Sequence, residues 1–418
     1  MSQAYRTRDA CALCRASGES LQRVLSLAPT PPANEFVTTQ QCASGQDTIP
    51  LTLLLCRACG HVQLAEIVDP QRLFGEYVYV SGTSPVFVEH FRRYAADMIA
   101  RFGIGAGSLV VEAGSNDGTL LRQFQTQGAP RVLGIDPASE IARQARESGI
   151  PTVEGFFTPA LASSLRAEHG SAALICANNV FAHAEDLSGF TDGVKAFLAP
   201  AGVFVFEVSY LADVVEKLLF DTIYHEHLSY HAVTPLVNFF AEHGLRLFHC
   251  ERIDTHGGSL RCFVGHADSA HQRSEAVDTL LQLERDLQLF SPTTYDRFKT
   301  RVSQRAEELQ QRLAEIRSRG GRVAGFGAPA KLTTLMHEFG LNRDSIDFII
   351  DDSAWKQGLF TPGTHIPVVP SSELYQRKPD WCVVFAWNFA DSIIAKHAAY
   401  ADQGGRFLVP LPQMREIP

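Results

Sequence analysis

Long apolar runs are missing from this sequence. No stretch reaches the roughly 20 residues that a membrane-spanning helix needs, so a membrane partner is not expected. Positive charge is also short: 37 Lys and Arg stand against 46 Asp and Glu, a net charge of −9. A general nucleic-acid binder carries a basic patch or excess. With no long basic run here, nucleic acid is not expected as a partner either. The first residues, MSQAYRTRDACALC, have no apolar h-region, which speaks against a secretory signal. The expected location is the cytoplasm, where thiols stay reduced. Several catalytic signatures are absent too. There is no G-x-S-x-G hydrolase elbow. There is no Walker A loop, no H-E-x-x-H zinc-protease helix and no G-x-G-x-x-G dinucleotide turn. No short-period repeat is visible.

What is present is a chain of 418 residues, 45% apolar and 20% charged. Both values are near the globular average and allow a large core. The length suggests two or three domains, and three textures divide it. Residues 1–72 are rich in Cys, Pro and Thr and too few to be stable without a staple. From 73 to 266, apolar runs alternate with helical text. SLVVEAG, RVLGIDP, AALICANN and GVFVFEVS read as strands; GTLLRQFQTQG, EIARQARESG and LSGFTDGVKAFLAPAG read as helices. This alternation predicts a doubly wound parallel sheet. From 267 to 418 a helical connector leads into a second α/β unit with strand-like runs such as GGRVAGFG, IDFII and WCVVF. In the connector, Pro292 is expected to end one helix and Thr293 or Thr294 to cap the next. Phe298, Val302, Ala306, Leu309, Leu313 and Ile316 form a helical stripe. The fold class is therefore α/β, with a zinc-binding N-terminal domain, a central Rossmann-like domain and a C-terminal Rossmann-like domain.

The zinc expectation rests on four of the nine cysteines. Cys11-x2-Cys14 and Cys56-x2-Cys59 have the spacing of a four-thiolate site, with Gly60 helping the second knuckle turn. Four thiolates close the tetrahedral shell, so the metal is structural. Redox cysteines or coincidence are the alternatives. Cys42, Cys176, Cys250, Cys262 and Cys382 lie outside the pattern.

The segment VVEAGSNDGTLL follows a strand and opens a helix. Gly114 and Gly118 let the backbone approach a ligand, and the helix N-terminus suits a carboxylate or polar head. Asp136 ends the next strand, where an acid accepts ribose hydroxyls. E-x-G-x-x-x-G followed by a strand-ending acid resembles the pattern of S-adenosylmethionine-dependent methyltransferases; an NAD site would use other glycine spacing. The resemblance implies cofactor contacts from Glu112, Gly114, Asn116, Asp117, Gly118, Asp136 and Pro137. Asn178 and Asn179, at the end of the fourth strand, complete the set. EGFF, residues 154–157, sits where the adenine is usually flanked. His183 follows the same strand end. A lone His there is more often structural, but this edge of the sheet is where the architecture places ligands.

YHEHLSY, residues 224–230, concentrates titratable groups. H-E-H is not a zinc-protease motif, and a bare metal site lacks a third ligand. On a helix, Tyr224 and His227 share a face, whereas His225 and His227 point apart. An acid–base reading fits: a histidine near its usual pKa of about 6.5 can remove a proton from a carbon acid. A carboxylate can hold the tautomer, and a tyrosine hydroxyl can bond an enolate oxygen. A polar helix start without chemistry is the alternative. THGGSLR, residues 255–261, reads as a turn apt for a phosphate, or as a plain hairpin. GFGAPAK, residues 325–331, could place backbone N–H groups and Lys331 on a pyrophosphate, or simply pack a helix on a strand. Asp351 and Asp352, ending the next strand, keep an NAD reading of this second turn open.

With these residues in place, the chain resembles the sugar C-methyltransferases that act on dTDP-linked 4-keto-deoxyhexoses, the group that builds branched sugars of the tetronitrose and mycarose kind. The motifs that carry this run nearly end to end: the two C-x-x-C pairs, TPPANEF, YVYVSGTS, EAGSNDGTLL, GIDPA, NNVFAH, YHEHLSY, THGGSLR, GFGAPAK and DFIIDDSAWKQGLFTPGTHIPV. The resemblance implies methyl transfer from S-adenosylmethionine to the sugar's third carbon through an enolate. His227 would be the base, with Tyr224, Glu226, His183 and Tyr79 also in the active site. Tyr77, Ser259, Arg261, Gly327 and Lys331 match substrate-side positions; the choice between Tyr77 and Tyr79 stays open. Zinc and S-adenosylmethionine are the implied cofactors and a dTDP-linked keto-deoxysugar the implied partner. A monomer is expected. The alternatives are O- or N-methyl transfer to another small metabolite, and a non-catalytic, zinc-stabilised sugar-nucleotide-binding protein. EAG in place of EIG, and DDSAW in place of DDNPA, depart from the family pattern and leave the exact sugar open.

Overall fold

The computed structural model describes residues 4–75, 82, 85–128 and 130–418. The N-terminal unit is a four-stranded antiparallel sheet in the order Ser229–Tyr230, Val62–Leu64, Ile49–Cys56, Leu21–Thr30. Ile49, Leu51, Leu53 and Leu55 alternate with more exposed residues, the period-two pattern of a half-buried strand. The edge strand Ser229–Tyr230 comes from far along the chain, at the end of YHEHLSY. Nothing in its local text announces a strand.

The central sheet has seven strands: β1 (Leu109–Ala113), β2 (Arg131–Asp136), β3 (Thr152–Glu154), β4 (Ala172–Asn178), β5 (Leu198–Ser209), β6 (Leu245–Ile253) and β7 (Ser259–His266). Their order is β6-β7-β5-β4-β1-β2-β3. The first five are parallel, as the alternation predicts. The β6–β7 hairpin then runs antiparallel onto β5, which departs from an all-parallel sheet. The turn between β6 and β7 is too short for a crossover, and a short turn can only join antiparallel neighbours. Successive residues of the buried strands serve opposite faces. Val110 joins Phe91, Tyr94, Met98, Leu121 and Phe124 from helices Pro85–Phe102 and Thr119–Gly128. Val111 joins Leu165, Phe190, Val194 and Phe197 from helices Pro159–His169 and Leu187–Phe197. Covering both faces is what a continuous apolar run such as LVVEA requires.

The C-terminal sheet has six strands in the order Val368–Val369, Phe348–Ile350, Val323–Phe326, Trp381–Val384, Arg406–Val409, Arg415–Ile417, parallel except for the last pair. The connector helix Pro292–Ser318 buries the expected stripe. One boundary differs from expectation. Pro292 opens this helix after an N-cap at Ser291, while the preceding helix has already ended at Asp286. A first-turn residue needs no intrahelical N–H bond, so Pro is suited to start the helix there. Among the described residues no helix is long and apolar enough to cross a membrane.

Candidate active site

The β1 turn carries the first group of predicted residues. Gly114 and Gly118 have φ of 69° and 76°, the left-handed region that favours glycine. A Cβ at Gly114 would stand 2.3 Å from Val180, and one at Gly118 2.8 Å from Ile150. Close packing, rather than ligand approach alone, demands these glycines. Asn116 and Asn179 also hold positive φ, 51° and 56°. Such conformations cost about 1–3 kcal/mol and gather at functional sites. Asp136 accepts from the Asn116 and Ala138 amides at 2.8 and 2.9 Å. Burial raises its carboxyl pKa, and those two amides oppose the rise. Each oxygen still has a lone pair for a hydroxyl donor. Pro137 follows it, ahead of helix Ser139–Glu147. Asp117 is engaged within the chain: its carboxylate accepts from Thr119 at the start of the next helix and from the Gly82 amide.

Glu112, Gly114, Ser115, Asn116 and Asn178 line a cavity of about 30 Å³ with Phe91, Thr119 and Leu120. Glu112 Oε2, Ser115 Oγ and both amide atoms of Asn178 are buried there without a hydrogen bond of normal geometry among the described residues. Burial pushes the Glu112 carboxyl well above its usual range, the Asn178 amide opposes this, and Asp117 and Asp136 add to it. Unpaired buried polar atoms cost about 1–3 kcal/mol each. A polar cofactor with donors and acceptors would satisfy them, so these residues fit S-adenosylmethionine.

YHEHLSY is not a helix. Residues 224–227 form a turn after the 3-10 segment Phe220–Thr222, closed by the His227 amide on the Tyr224 carbonyl at 2.9 Å. The turn still joins the predicted pair. Tyr224 Oη lies 2.9 Å from His227 Nε2, and their rings are 4.1 Å apart. His227 Nδ1 lies 2.8 Å from the Thr222 carbonyl oxygen. A carbonyl can only accept, so Nδ1 carries the proton and Nε2 keeps its lone pair. The Tyr224 hydroxyl donates to that lone pair. Burial lowers the His227 pKa to about 4, against the Thr222 carbonyl. His183 stacks on His227 at 5.1 Å, and Phe74 stacks on His183 at 5.3 Å. Burial, then the neighbouring His227, holds the His183 pKa well below the usual imidazole value. His183 follows Val180, which packs on Gly114, so the β1 turn and the Tyr224–His227 pair adjoin. Glu226 is buried and accepts from Asn34 Nδ2 at 2.7 Å. The chain motif containing Asn34, TPPANEF, was legible, but this contact was not. The clamp on His227 is a backbone carbonyl, which leaves no trace in sequence. Tyr77 and Tyr79 lie outside the described residues.

The substrate-side expectations fare differently. Ser259 and Arg261 are not in the turn but on β7. Arg261 is buried and bonds Glu207 at 2.6 Å, with Glu251 at 3.4 Å and the Tyr94 ring beneath it. Two acids already neutralise this guanidinium, because a buried cation needs paired charge. Ser259 Oγ donates to the Thr255 carbonyl. At the second glycine turn, Gly327 has φ of 91°, and a Cβ would collide with Ala386. Its amide donates to Ile350 O, and the Ala328 amide to Asp351. These N–H groups are engaged, contrary to the pyrophosphate expectation. Lys331 Nζ bonds Asn388 Oδ1 at 2.6 Å and lies 3.7 Å over the Trp387 ring. Burial lowers its pKa to about 8, with Asp221 opposing. Trp387 in turn donates to Asp221 at 2.6 Å and packs on Gly257. The two glycine turns, far apart in sequence, thus meet through Trp387.

The four cysteines converge. The Sγ atoms of Cys11, Cys14, Cys56 and Cys59 all lie within 4.8 Å of one another. Cys11–Cys59 and Cys14–Cys56 are each 3.6 Å apart. A tetrahedron with Zn–S of about 2.3 Å has edges of about 3.8 Å, so the set fits zinc. Gly60, at φ 84°, makes the second knuckle as expected.

Acid should destabilise the fold through its buried histidines. His225 and His231 are fully buried. Burial lowers their pKa values to about 4 and about 3. A depressed His pKa gives stability that is present above the unfolded value near 6.5 and is lost as pH falls. Each unit is worth about 1.4 kcal/mol, so each ring withdraws about 3 kcal/mol or more by pH 4. Circular dichroism should show cooperative unfolding between pH 6 and 4; an unchanged urea midpoint over that range would contradict it.

Three family models match the chain: "Putative zinc binding domain" over residues 14–74, "Methyltransferase domain" over 87–249, and "C-methyltransferase C-terminal domain" over 254–412. The C-methyltransferase NovU of Streptomyces niveus is 34% identical over 417 residues, covering 100% of this chain and 99% of that one. Among solved structures, the magnesium protoporphyrin IX methyltransferase of Synechocystis with bound SAH is 15% identical, over 42% of this chain and 82% of that one, with a TM-score of 0.34. An S-adenosylmethionine-dependent methyltransferase from Mesorhizobium loti is 16% identical, over 42% and 99%, with a TM-score of 0.34. Structural likeness at that level carries no argument. The sequence match spans the whole chain, and with it this protein belongs to the S-adenosylmethionine-dependent C-methyltransferases.

Proposed function

We propose that this protein methylates the third carbon of a dTDP-linked 4-keto-deoxyhexose, through an enolate formed at the Tyr224–His227 pair. The observation that carries the reading is the tautomer of His227. Its Nδ1–H is clamped on the Thr222 carbonyl, so Nε2 is the basic atom, beside a tyrosine hydroxyl. Transfer to the carbon beside a ketone passes through an enolate and needs a base, a role that His227 Nε2 would fill; transfer to a hydroxyl or amine can also use a base but passes through no carbon acid.

Bound at the β1 turn, S-adenosylmethionine supplies an electrophilic methyl group. Glu112, Gly114, Asn116, Asn178 and Asn179 would hold it, with Asp136 and Pro137 on the ribose side. The residues of the turn then act on the sugar. His227 Nε2 takes the proton from the carbon next to the ketone. For this the Tyr224 hydroxyl first turns from Nε2 to the ketone oxygen, which frees the one lone pair of Nε2 for the proton and leaves the hydroxyl on the oxygen that becomes the enolate. Burial that lowers the resting pKa is offset as negative charge develops beside the ring, since a nearby opposite charge favours imidazolium. His183, stacked on His227, keeps that ring in place. Lys331 and Gly327 belong to the seam between the central and C-terminal sheets, where the sugar-nucleotide would lie.

The test is isotope wash-in. In deuterated water, a dTDP-4-keto-deoxyhexose incubated with the enzyme should take up deuterium at its third carbon, read by NMR. Methylation without any wash-in, under conditions where chemistry is slow, would remove the enolate.

A further inference from the structure

We propose that the cysteine-bearing N-terminal unit is the positioning device for the Tyr224–His227 turn, with His225 as the positioning residue through which it acts. The inference rests on the functional reading above only for its consequence in turnover. Its structural content stands on contacts outside that pair.

Five of the seven residues in YHEHLSY are gripped by the N-terminal unit. The His225 ring is fully buried, with Nε2 3.1 Å from the Pro50 carbonyl oxygen. The carbonyl can only accept, so Nε2 carries the proton and the neutral ring is an anchor rather than a base. Glu226 accepts from Asn34 Nδ2 at 2.7 Å. The Leu228 carbonyl accepts from the Leu64 amide at 3.0 Å. Ser229 and Tyr230 pair with Gln63 and Val62 as the sheet's edge strand. Tyr224 and His227, by contrast, bond each other, and His227 bonds Thr222 within its own segment. The contacts to the sheet thus fall at 225, 226 and 228–230, on both sides of His227.

The grip leads back to the cysteines. His61 Nε2 lies 3.2 Å from Ser229 Oγ. The His61 carbonyl accepts from the Cys56 amide at 2.8 Å, closing the second knuckle. Gln63 Oε1 accepts from the Ala12 amide, beside Cys11, at 2.9 Å. Both knuckles therefore bear on the strand Val62–Leu64 that pairs with Ser229 and Tyr230. A metal in the four-thiolate set would hold the knuckles, the knuckles hold that strand, and the strand holds the turn. A misplacement of about 1 Å can cost on the order of 100-fold in rate, so loss of this support should reach the reaction.

The experiment is amide hydrogen exchange on the whole protein, with turnover and S-adenosylmethionine calorimetry beside it. His225→Phe keeps a ring but loses the donor to Pro50; His225→Gln keeps an N–H. In His225→Phe, exchange across residues 222–231 should accelerate at least about tenfold. kcat should fall about 10–100-fold, and the S-adenosylmethionine dissociation constant should stay within about twofold. His225→Gln should restore most of both losses, which a volume defect alone would not produce. Removing metal with a chelator should accelerate the same peptide together with residues 50–64. Unchanged exchange at 222–231, in His225→Phe or after chelation, overturns the proposal. Faster exchange with intact kcat supports the grip and instead removes Tyr224 and His227 from proton transfer.

Discussion

His227→Ala should lower methyl transfer by about 10²–10⁴-fold, the usual share of a positioned acid–base group. Deuterium wash-in at the sugar's third carbon should fall with it. The cofactor's dissociation constant should not move, because His227 is not among the residues that line the β1 cavity. The size follows from geometry. Nε2 is the one basic atom of a ring whose other nitrogen is held by the Thr222 carbonyl. His183 and Tyr224 flank the ring, and Ala offers no basic atom in its place. Tyr224→Phe should cost less, about 10–100-fold, because it removes a donor to the enolate but leaves the base. Single-turnover kinetics with calorimetry on the same preparations measures both. Full activity in His227→Ala would take this residue out of the mechanism.

Removal of zinc should unfold the N-terminal unit. Structural zinc supplies on the order of 10 kcal/mol or more of folding free energy in small four-ligand units. That exceeds the roughly 5–15 kcal/mol stability of a whole domain at its lower end. The ligands are part of its core: Cys11 and Cys56 are fully buried. Without metal, four thiols at such distances are left with each other. Chelation at neutral pH should abolish hydrogen-exchange protection over residues 11–64, while β1, β2 and β4, sandwiched between helices, keep theirs. Metal analysis should find one zinc per chain in the parent and none in Cys56→Ser. One zinc per chain retained by Cys56→Ser would refute the four-thiolate assignment.

How much of this was legible in advance depends on whether the cause was local. The cysteine knuckles were, because C-x-x-C with a following glycine is a complete local instruction. The strand–helix alternation was, because buried parallel strands are continuously apolar. The Tyr224–His227 pair was expected from helical spacing and arises from a turn; three residues apart is a contact in either. The helix start at Pro292 was misplaced, although its missing N–H suits a first turn. The ion pairs of Arg261 were hidden for a different reason. Its local text, glycines followed by Ser and Arg, suggests an anion, and only the antiparallel partners of β7 bring Glu207 and Glu251 to it.

The sequence by itself determined the thiolate set, the two α/β units, the acid at the end of β2 and the identity of the groups in the YHEHLSY turn. These are properties of residue type and short spacing, which the chain carries wherever it goes. Only the tertiary structure decided that Ser229 and Tyr230, after this turn, would be an edge strand of the N-terminal sheet, that the Thr222 carbonyl would choose the tautomer of His227, and that Trp387 would join two distant glycine turns. The first and third are contacts between segments many residues apart; the second is local, but it is made by a backbone carbonyl. Backbone carbonyls and β-partners have no side-chain signature, so no reading of local text could have supplied them.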